Sequence, residues 1–433
     1  MDENSNDVDR LFKQVAQNAG GLAAVLDPAK AMQRGAKRRR FAKRRRLAAS
    51  GAVVVALVVV FLVPLPRLHL FGSNRPLSAT SSHTTTTLRL GVGPAGHPIP
   101  VSFAPTWFTA ASLEDWWMLG SARCPNGTGT CLAIVRTTDG GAAFAGLARP
   151  PMRSSDVTRL SFANALDGYA FDPQLWATTD GGSIWSKVAA KGPILQLETA
   201  DGEAYALACT TADCLSLELL GSPVGSLAWR RLATPVPIGV GAALVANGRS
   251  LYVLGGQTGR GRMHVFLLYS DDEASSFIER PDPCTPGLGG KLLAPAAKSS
   301  SLWAVCPTGT EAETWLSDNG GRSWVEGEGG FPNSVQLAAG SSAVALVSPA
   351  QARNGVPPTA LERTTDGGRS YSVVLSKANA RVAWIGYSSP LRAYALLEPP
   401  YTLLKGGVSK LVASELYESN DSGATWHEVA IKA

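Results

Sequence analysis

Residues 363–371 read RTTDGGRSY, and the chain keeps restating them. Thr364, Asp366, Gly368 and Tyr371 define a frame, Ser/Thr-x-Asp-x-Gly-x-x-aromatic. It recurs at Thr137, Asp139, Gly141 and Phe144, at Thr178, Asp180, Gly182 and Trp185, and at Ser419, Asp421, Gly423 and Trp426. Two copies are worn: Ser317, Asn319, Gly321 and Trp324 carry Asn for Asp, and Ser270, Asp272, Ala274 and Phe277 lack the glycine. A seventh survives as a trace, Ser222, Val224, Ser226 and Trp229. The third positions, 139, 180, 224, 272, 319, 366 and 421, lie 41 to 55 residues apart. That is the period of propeller blades.

The residue types explain the spacing. Asp-Gly-Gly between two apolar runs signals a hairpin turn. The Asp carboxylate and the Ser/Thr hydroxyl can accept backbone N–H groups and tie the turn to itself. Gly supplies the positive φ, and the aromatic opens the next strand and can tuck back between neighbouring sheets. Recurrence on every unit makes Asp139, Asp180, Asp272, Asn319, Asp366 and Asp421 structural staples rather than catalytic carboxylates or metal ligands. Ahead of each turn lies an apolar run: DWWMLG from 115, DGYAFD from 167, EAYALAC from 203, SLYVLGG from 250, SLWAVC from 301, AVALVS from 343 and RAYALLE from 392. Each is expected as the second strand of a blade, with the box turn after the third. Seven turns and seven such strands predict an all-β, seven-bladed β-propeller. Ring closure removes exposed sheet edges. Residues 88–93, LRLGVG, either add a further strand or help close the ring, and both readings stay open.

The frame resembles the Asp-box (BNR) repeat of sialidases, sortilin-type receptors, some xyloglucan-active glycosidases and photosystem II assembly factors. The resemblance covers about residues 100–433. It implies that each box sits between the third and fourth strands of a blade, on the periphery and away from any active centre. It says little about function.

Charge is unevenly placed. The net charge of +6 comes from residues 1–46, which hold 12 of the 40 Lys/Arg and 5 of the 34 Asp/Glu; the remainder carries 28 against 29. A nucleic-acid partner for the large domain therefore has no electrostatic support. Residues 34–46 place nine Lys/Arg in thirteen positions, directly before the nineteen uncharged residues 47–65. At 1.5 Å per residue that run spans a hydrocarbon core of roughly 30 Å. The basic flank keeps the N-terminus cytoplasmic and sends the rest outside. The run abutting 47–65 reads as an anchor contacting anionic lipid rather than a nuclear signal. A cleaved signal peptide is the competing reading, but its charged region would be unusually long and no small-x-small cleavage site follows. The expected organisation is a cytosolic tail over 1–46, a transmembrane signal anchor over 47–65, a Ser/Thr-rich extracytoplasmic linker over 66–98 and the propeller over 99–433. Within the tail, Val8, Leu11, Phe12 and Val15 have helical spacing after Asp7. They suit either a solvated tail or a docking helix for a cytosolic partner.

Six cysteines allow fifteen pairings. Blade register narrows them: Cys124 with Cys131 and Cys209 with Cys214 flank hairpins between second and third strands, which leaves Cys284 for Cys306. No Cys-x-x-Cys occurs and His is scarce, so zinc is not expected; no metal ligand or cofactor is assigned, and calcium stays open. Paired cysteines fit an oxidising compartment.

Four functional readings follow. Glycoside hydrolysis needs two carboxylates across the scissile bond. Glu114, Asp115, Asp167 and Asp172 are candidate acids, equally explained as turn residues. The Arg-Ile-Pro signature of sialidases is missing; the nearest string is HPIP at 97–100. No catalytic residue is therefore assigned. The photosystem II assembly factor is a second comparison, from which the anchor and the long basic tail depart. The preferred reading is a type II anchored binding or scaffolding module that presents its faces to a protein or glycan, with loops 235–241, 255–262 and 349–358 as candidate contacts. A signalling role through the cytosolic tail is the further alternative.

Overall fold

The computed structural model describes residues 96–432 apart from 149, 213, 236, 237, 240, 260, 261, 285–289, 298, 350–358, 379 and 399–413. The expected tail, the expected anchor over 47–65 and most of the expected linker lie outside the described residues, as do 88–93. Among the described residues no helix is long and apolar enough to cross a membrane.

Among the described residues thirty strands form seven antiparallel sheets, each built from strands consecutive in sequence. Blade 1 comprises β1 (Ala104–Ala110), β2 (Trp116–Arg123), β3 (Thr130–Thr137) and β4 (Ala145–Gly146). Blade 2 comprises β5 (Val157–Phe162), β6 (Gly168–Pro173), β7 (Trp176–Thr178) and β8 (Ser186–Lys187). Blade 3 comprises β9 (Ile194–Ala200), β10 (Glu203–Cys209), β11 (Ser216–Pro223) and β12 (Arg230–Leu232), with β13 (Ile238–Gly239) also on β11. Blade 4 comprises β14 (Ala243–Asn247), β15 (Ser250–Gly259), β16 (Arg262–Ser270) and β17 (Ile278–Arg280). Blade 5 comprises β18 (Lys291–Leu293), β19 (Leu302–Pro307), β20 (Glu311–Ser317) and β21 (Val325–Glu326), with β22 (Phe331–Pro332) on β20. Blade 6 comprises β23 (Gln336–Ala339), β24 (Ala345–Ser348), β25 (Ala360–Thr364) and β26 (Ser372–Ser376). Blade 7 comprises β27 (Arg381–Tyr387), β28 (Ala393–Glu398), β29 (Glu415–Ser419) and β30 (His427–Val429). Each apolar run picked out in the sequence is the second strand of its blade.

Second strands are apolar on both faces because each lies between two neighbouring blades. Along β2, Trp116 and Met118 join the cluster shared with blade 7, whereas Trp117 and Leu119 join the cluster shared with blade 2. Strand periodicity sends alternate residues to opposite faces. Seven buried clusters result, one at each blade boundary. Trp117 stacks on Phe162 at 3.8 Å between blades 1 and 2, and Phe108 stacks on Tyr394 at 4.5 Å between blades 1 and 7. Each fully buried large apolar side chain contributes about 1.5–3 kcal/mol relative to exposure. Among the described residues the ring closes without strand exchange. Blades 1 and 7 meet through their shared cluster and through the Phe144 amide, which donates to the Lys432 carbonyl at 2.8 Å.

The turns between third and fourth strands are built alike. In blade 6, Gly368 N donates to Thr364 Oγ1 at 3.0 Å, and Ser370 N donates to Asp366 Oδ1 at 3.0 Å. Asp139, Asp180, Asp272, Asn319 and Asp421 accept the equivalent amide. Both residues after the acid are left-handed in all six turns, including the non-glycines Glu273, Ala274 and Ser422. The trace in blade 3 keeps only the hydroxyl side: Ser222 Oγ donates to backbone carbonyls.

The three disulfides pair Cys124 with Cys131, Cys209 with Cys214 and Cys284 with Cys306, as blade register predicts. The first two bracket hairpins between second and third strands. The third ties the chain beyond β17 to the second strand of blade 5.

Candidate functional site

An antiparallel meander puts the first-to-second and third-to-fourth turns at one end of every sheet, here the box face. The second-to-third hairpins and the blade crossings lie at the other end, the hairpin face. First strands line the central channel.

The channel wall is cross-linked from blade to blade by side chains of these strands. Trp107 Nε1 donates to Leu160 O at 2.8 Å, and Arg159 Nη1 donates to Leu195 O at 3.1 Å. Gln196 Oε1 accepts from Leu244 N at 2.6 Å. Lys291 Nζ donates to Val335 O at 2.7 Å, and Gln336 Nε2 donates to Ala383 O at 3.1 Å. Trp384 meets Trp107 edge-on at 6.1 Å, and Arg159 lies over the Trp107 ring at 5.4 Å. Because Trp107 touches the first strands of both flanking blades, it sits on the inner wall. A bulge immediately precedes each tryptophan, between Pro105 and Trp107 and between Val382 and Trp384. Bulges re-aim side chains, and both indoles stay partly exposed. Glu198, also on a first strand, is partly exposed and has no bonding partner among the described residues. Burial pushes its carboxyl up to about 8, because the interior disfavours the charged form.

At the hairpin-face mouth, Asp172 accepts from Thr158 Oγ1 at 2.9 Å and pairs with Arg159 Nε at 3.3 Å. At the box-face mouth, a cavity of about 500 Å3 is lined by turn residues of blades 1 to 4, among them Ala111, Asn164, Asp201 and Asn247. Beside it, sharing Asp201, Asn247 and Gly248, lies a second cavity of about 430 Å3 at the boundary of blades 4 and 5.

The candidate acids do not converge. Asp115 is held by Arg136 at 2.7 Å and Asp167 by Asn164 Nδ2 at 2.8 Å, both at first-to-second turns of the box face. Glu114 lies beside Asp115, its amide donating to Ser112 Oγ at 3.1 Å. Asp172 is at the opposite end. The HPIP string lines a cavity of about 570 Å3 beside the Cys124–Cys131 hairpin, and none of these acids is in its lining. Of the candidate loops, 235–241, 255–262 and 349–358 lie partly or mostly outside the described residues. Among the described residues no group of three or more His, Cys, Asp or Glu is placed to hold a metal. The sequence reading missed Trp107, Trp384, Arg159 and Glu198. One signal was available: Trp107 and Trp384 precede their second strands by the same offset.

No family model and no curated protein matches the chain. Solved structures do. YCF48 bound to D1 peptide is similar at 16% identity and a TM-score of 0.47, over 70% of this chain and 91% of that one. The β-propeller domain of the trilobed protease from Pyrococcus furiosus is similar at 8% identity and a TM-score of 0.52, over 76% and 95%. A puromycin-hydrolysing peptidase from Mycobacterium tuberculosis is similar at 10% identity and 0.51, over 78% and 56%. The likeness is one of fold. The chain is a seven-bladed β-propeller.

Proposed function

We propose that this propeller is an extracytoplasmic binding or scaffolding module of the Asp-box type, anchored through residues 47–65 with its N-terminus cytoplasmic, and that its channel face takes a protein or glycan. The observation that supports it is the partly exposed Trp107–Trp384 pair with Arg159 against it. Indole faces held rigidly on strands suit extended amphipathic ligands and cost little ordering entropy on binding. Hydrolysis is less well supported, since Asp115, Asp167 and Asp172 are each engaged by a neighbour and lie at opposite ends of their blades.

The test is capture of soluble peptides and glycans by the purified full chain in detergent, with Trp107→Ala and Trp384→Ala beside it. Loss of roughly tenfold or more in affinity in the variants supports the reading. Capture indifferent to both substitutions would move the site elsewhere. Topology is checked separately, by protease protection of the tail and of the propeller in sealed membranes.

A further inference from the structure

At the boundary of blades 4 and 5 sits a buried guanidinium that lacks a counter-ion. Arg280, at the end of β17, is 7% exposed. It donates to the Gly320 carbonyl, the residue after the box amide Asn319, and packs against Tyr269 and Tyr252. Its Nε is buried without an acceptor, and no carboxylate pairs with it among the described residues.

Blade 1 offers a comparison, in which the arginine Nε is likewise unbonded among the described residues. Arg136 lies over the Trp117 ring at 4.7 Å and against Gly181, the residue after the box acid of the next blade; a methyl on Gly181 or on Gly320 would meet Nη1 of Arg136 or of Arg280. Arg136 is neutralised by Asp115 at 2.7 Å. Aligning DWWMLG with SLYVLGG sets Trp117 on Tyr252 and Asp115 on Ser250. Blade 4 therefore has the aromatic platform and an arginine, brought in from its fourth strand rather than its third, but a serine where the carboxylate stands. Around Ser250 the 430 Å3 cavity opens, with Arg280, Tyr252, Ser300 and a second guanidinium, Arg322, in its lining. Arg322 is exposed and, among the described residues, donates only to the Asn319 carbonyl, at 3.3 Å.

We propose that this cavity is an oxyanion site: a carboxylate, sulfate or phosphate group of a ligand takes the place that Asp115 fills in blade 1, and Arg280 and Arg322 pair with it. Guanidinium forks match the planar or tetrahedral oxygens of such groups, and the Ser250 hydroxyl supplies a further donor. Asp201 on the shared rim favours a small, singly placed charge over a polyanion.

The experiment titrates sodium acetate, sulfate and phosphate, at constant ionic strength, into the full chain and follows heat of binding and thermal midpoint. A single saturable site for at least one anion is expected, and the preferred one tells a carboxylate from a tetrahedral group. Arg322→Ala, on the surface, should weaken it roughly tenfold. Ser250→Asp, which supplies the carboxylate internally, should abolish binding while the folded midpoint holds or rises. Absence of saturable binding by all three anions overturns the proposal, as does affinity unchanged in Arg322→Ala or in folded Ser250→Asp.

Discussion

Arg363 Nε donates to the Ser422 carbonyl at 2.8 Å, joining the third strand of blade 6 to the box of blade 7. Tyr387 Oη donates to the same carbonyl at 3.0 Å. Trp117 does the same to Gly181 O at 3.0 Å, and Arg280 to Gly320 O. The box turn is thus more than a self-contained hairpin. Its left-handed backbone turns one carbonyl outward, toward side chains from the neighbouring sheet. Arg363→Met should cost about 1–2 kcal/mol, as loss of a charge-assisted bond does, and lower the thermal midpoint. An unchanged midpoint would remove this linkage from the account.

Glu273 occupies a left-handed position (φ 59) that Gly fills in four of the other turns, and Ser422 in the fifth. A side chain there is strained. Its pairing with Arg249 is long, at 3.7 Å, and exposed, so little is lost with the carboxylate. Glu273→Gly should raise stability by about 0.5–1 kcal/mol, the strain relieved less the entropy glycine adds to the unfolded chain. Denaturant midpoints of the two proteins decide it.

The box acids set an acid limit. Hydrogen bonds led by the Ser370 hydroxyl lower Asp366 to about 2, and those led by Ser276 lower Asp272 to about 2; Asp421 and Asp139 are lowered as well. A depressed folded pKa gives stability that is present above the unfolded value and lost as pH falls through the folded one. The midpoint should therefore drop steeply between about pH 4 and pH 2. Asp366→Asn should flatten that drop and still fold, because Asn319 accepts the same amide, at 2.9 Å, in blade 5.

Glu198 acts in the opposite sense. Its folded pKa of about 8 stands above the ordinary 4.5, so the folded chain holds this proton where the unfolded chain has released it. Stability from this group is complete below about pH 4.5 and declines as pH rises toward 8. Comparing unfolding midpoints at pH 5 and pH 8 should show a fall in the parent chain that Glu198→Gln largely removes. Equal falls in both proteins would place the proton elsewhere.

What the sequence revealed was local. The Ser/Thr-x-Asp frame closes hydrogen bonds within five residues, so its blade count could be read directly. Cys124 and Cys131 were pairable because they bracket one hairpin, and Cys284 followed once the register was set. What stayed hidden depends on partners a whole blade away. Nothing in the immediate neighbourhood of Arg363 or Arg280 announces Ser422 or Gly320, and Trp107 is aimed into the channel by a bulge that leaves no composition signature. The four candidate acids looked alike in sequence; only the sheet ends separate Asp172 from Asp115 and Asp167.

The binding claim is tested most directly by a combined capture and turnover screen. The purified full chain, non-reduced and in detergent, is applied to glycan and peptide arrays, and the supernatant is assayed for released sugar. The account predicts capture without release, weakened by Trp107→Ala. Release of free sugar by the parent chain, or capture untouched by that substitution, would contradict it.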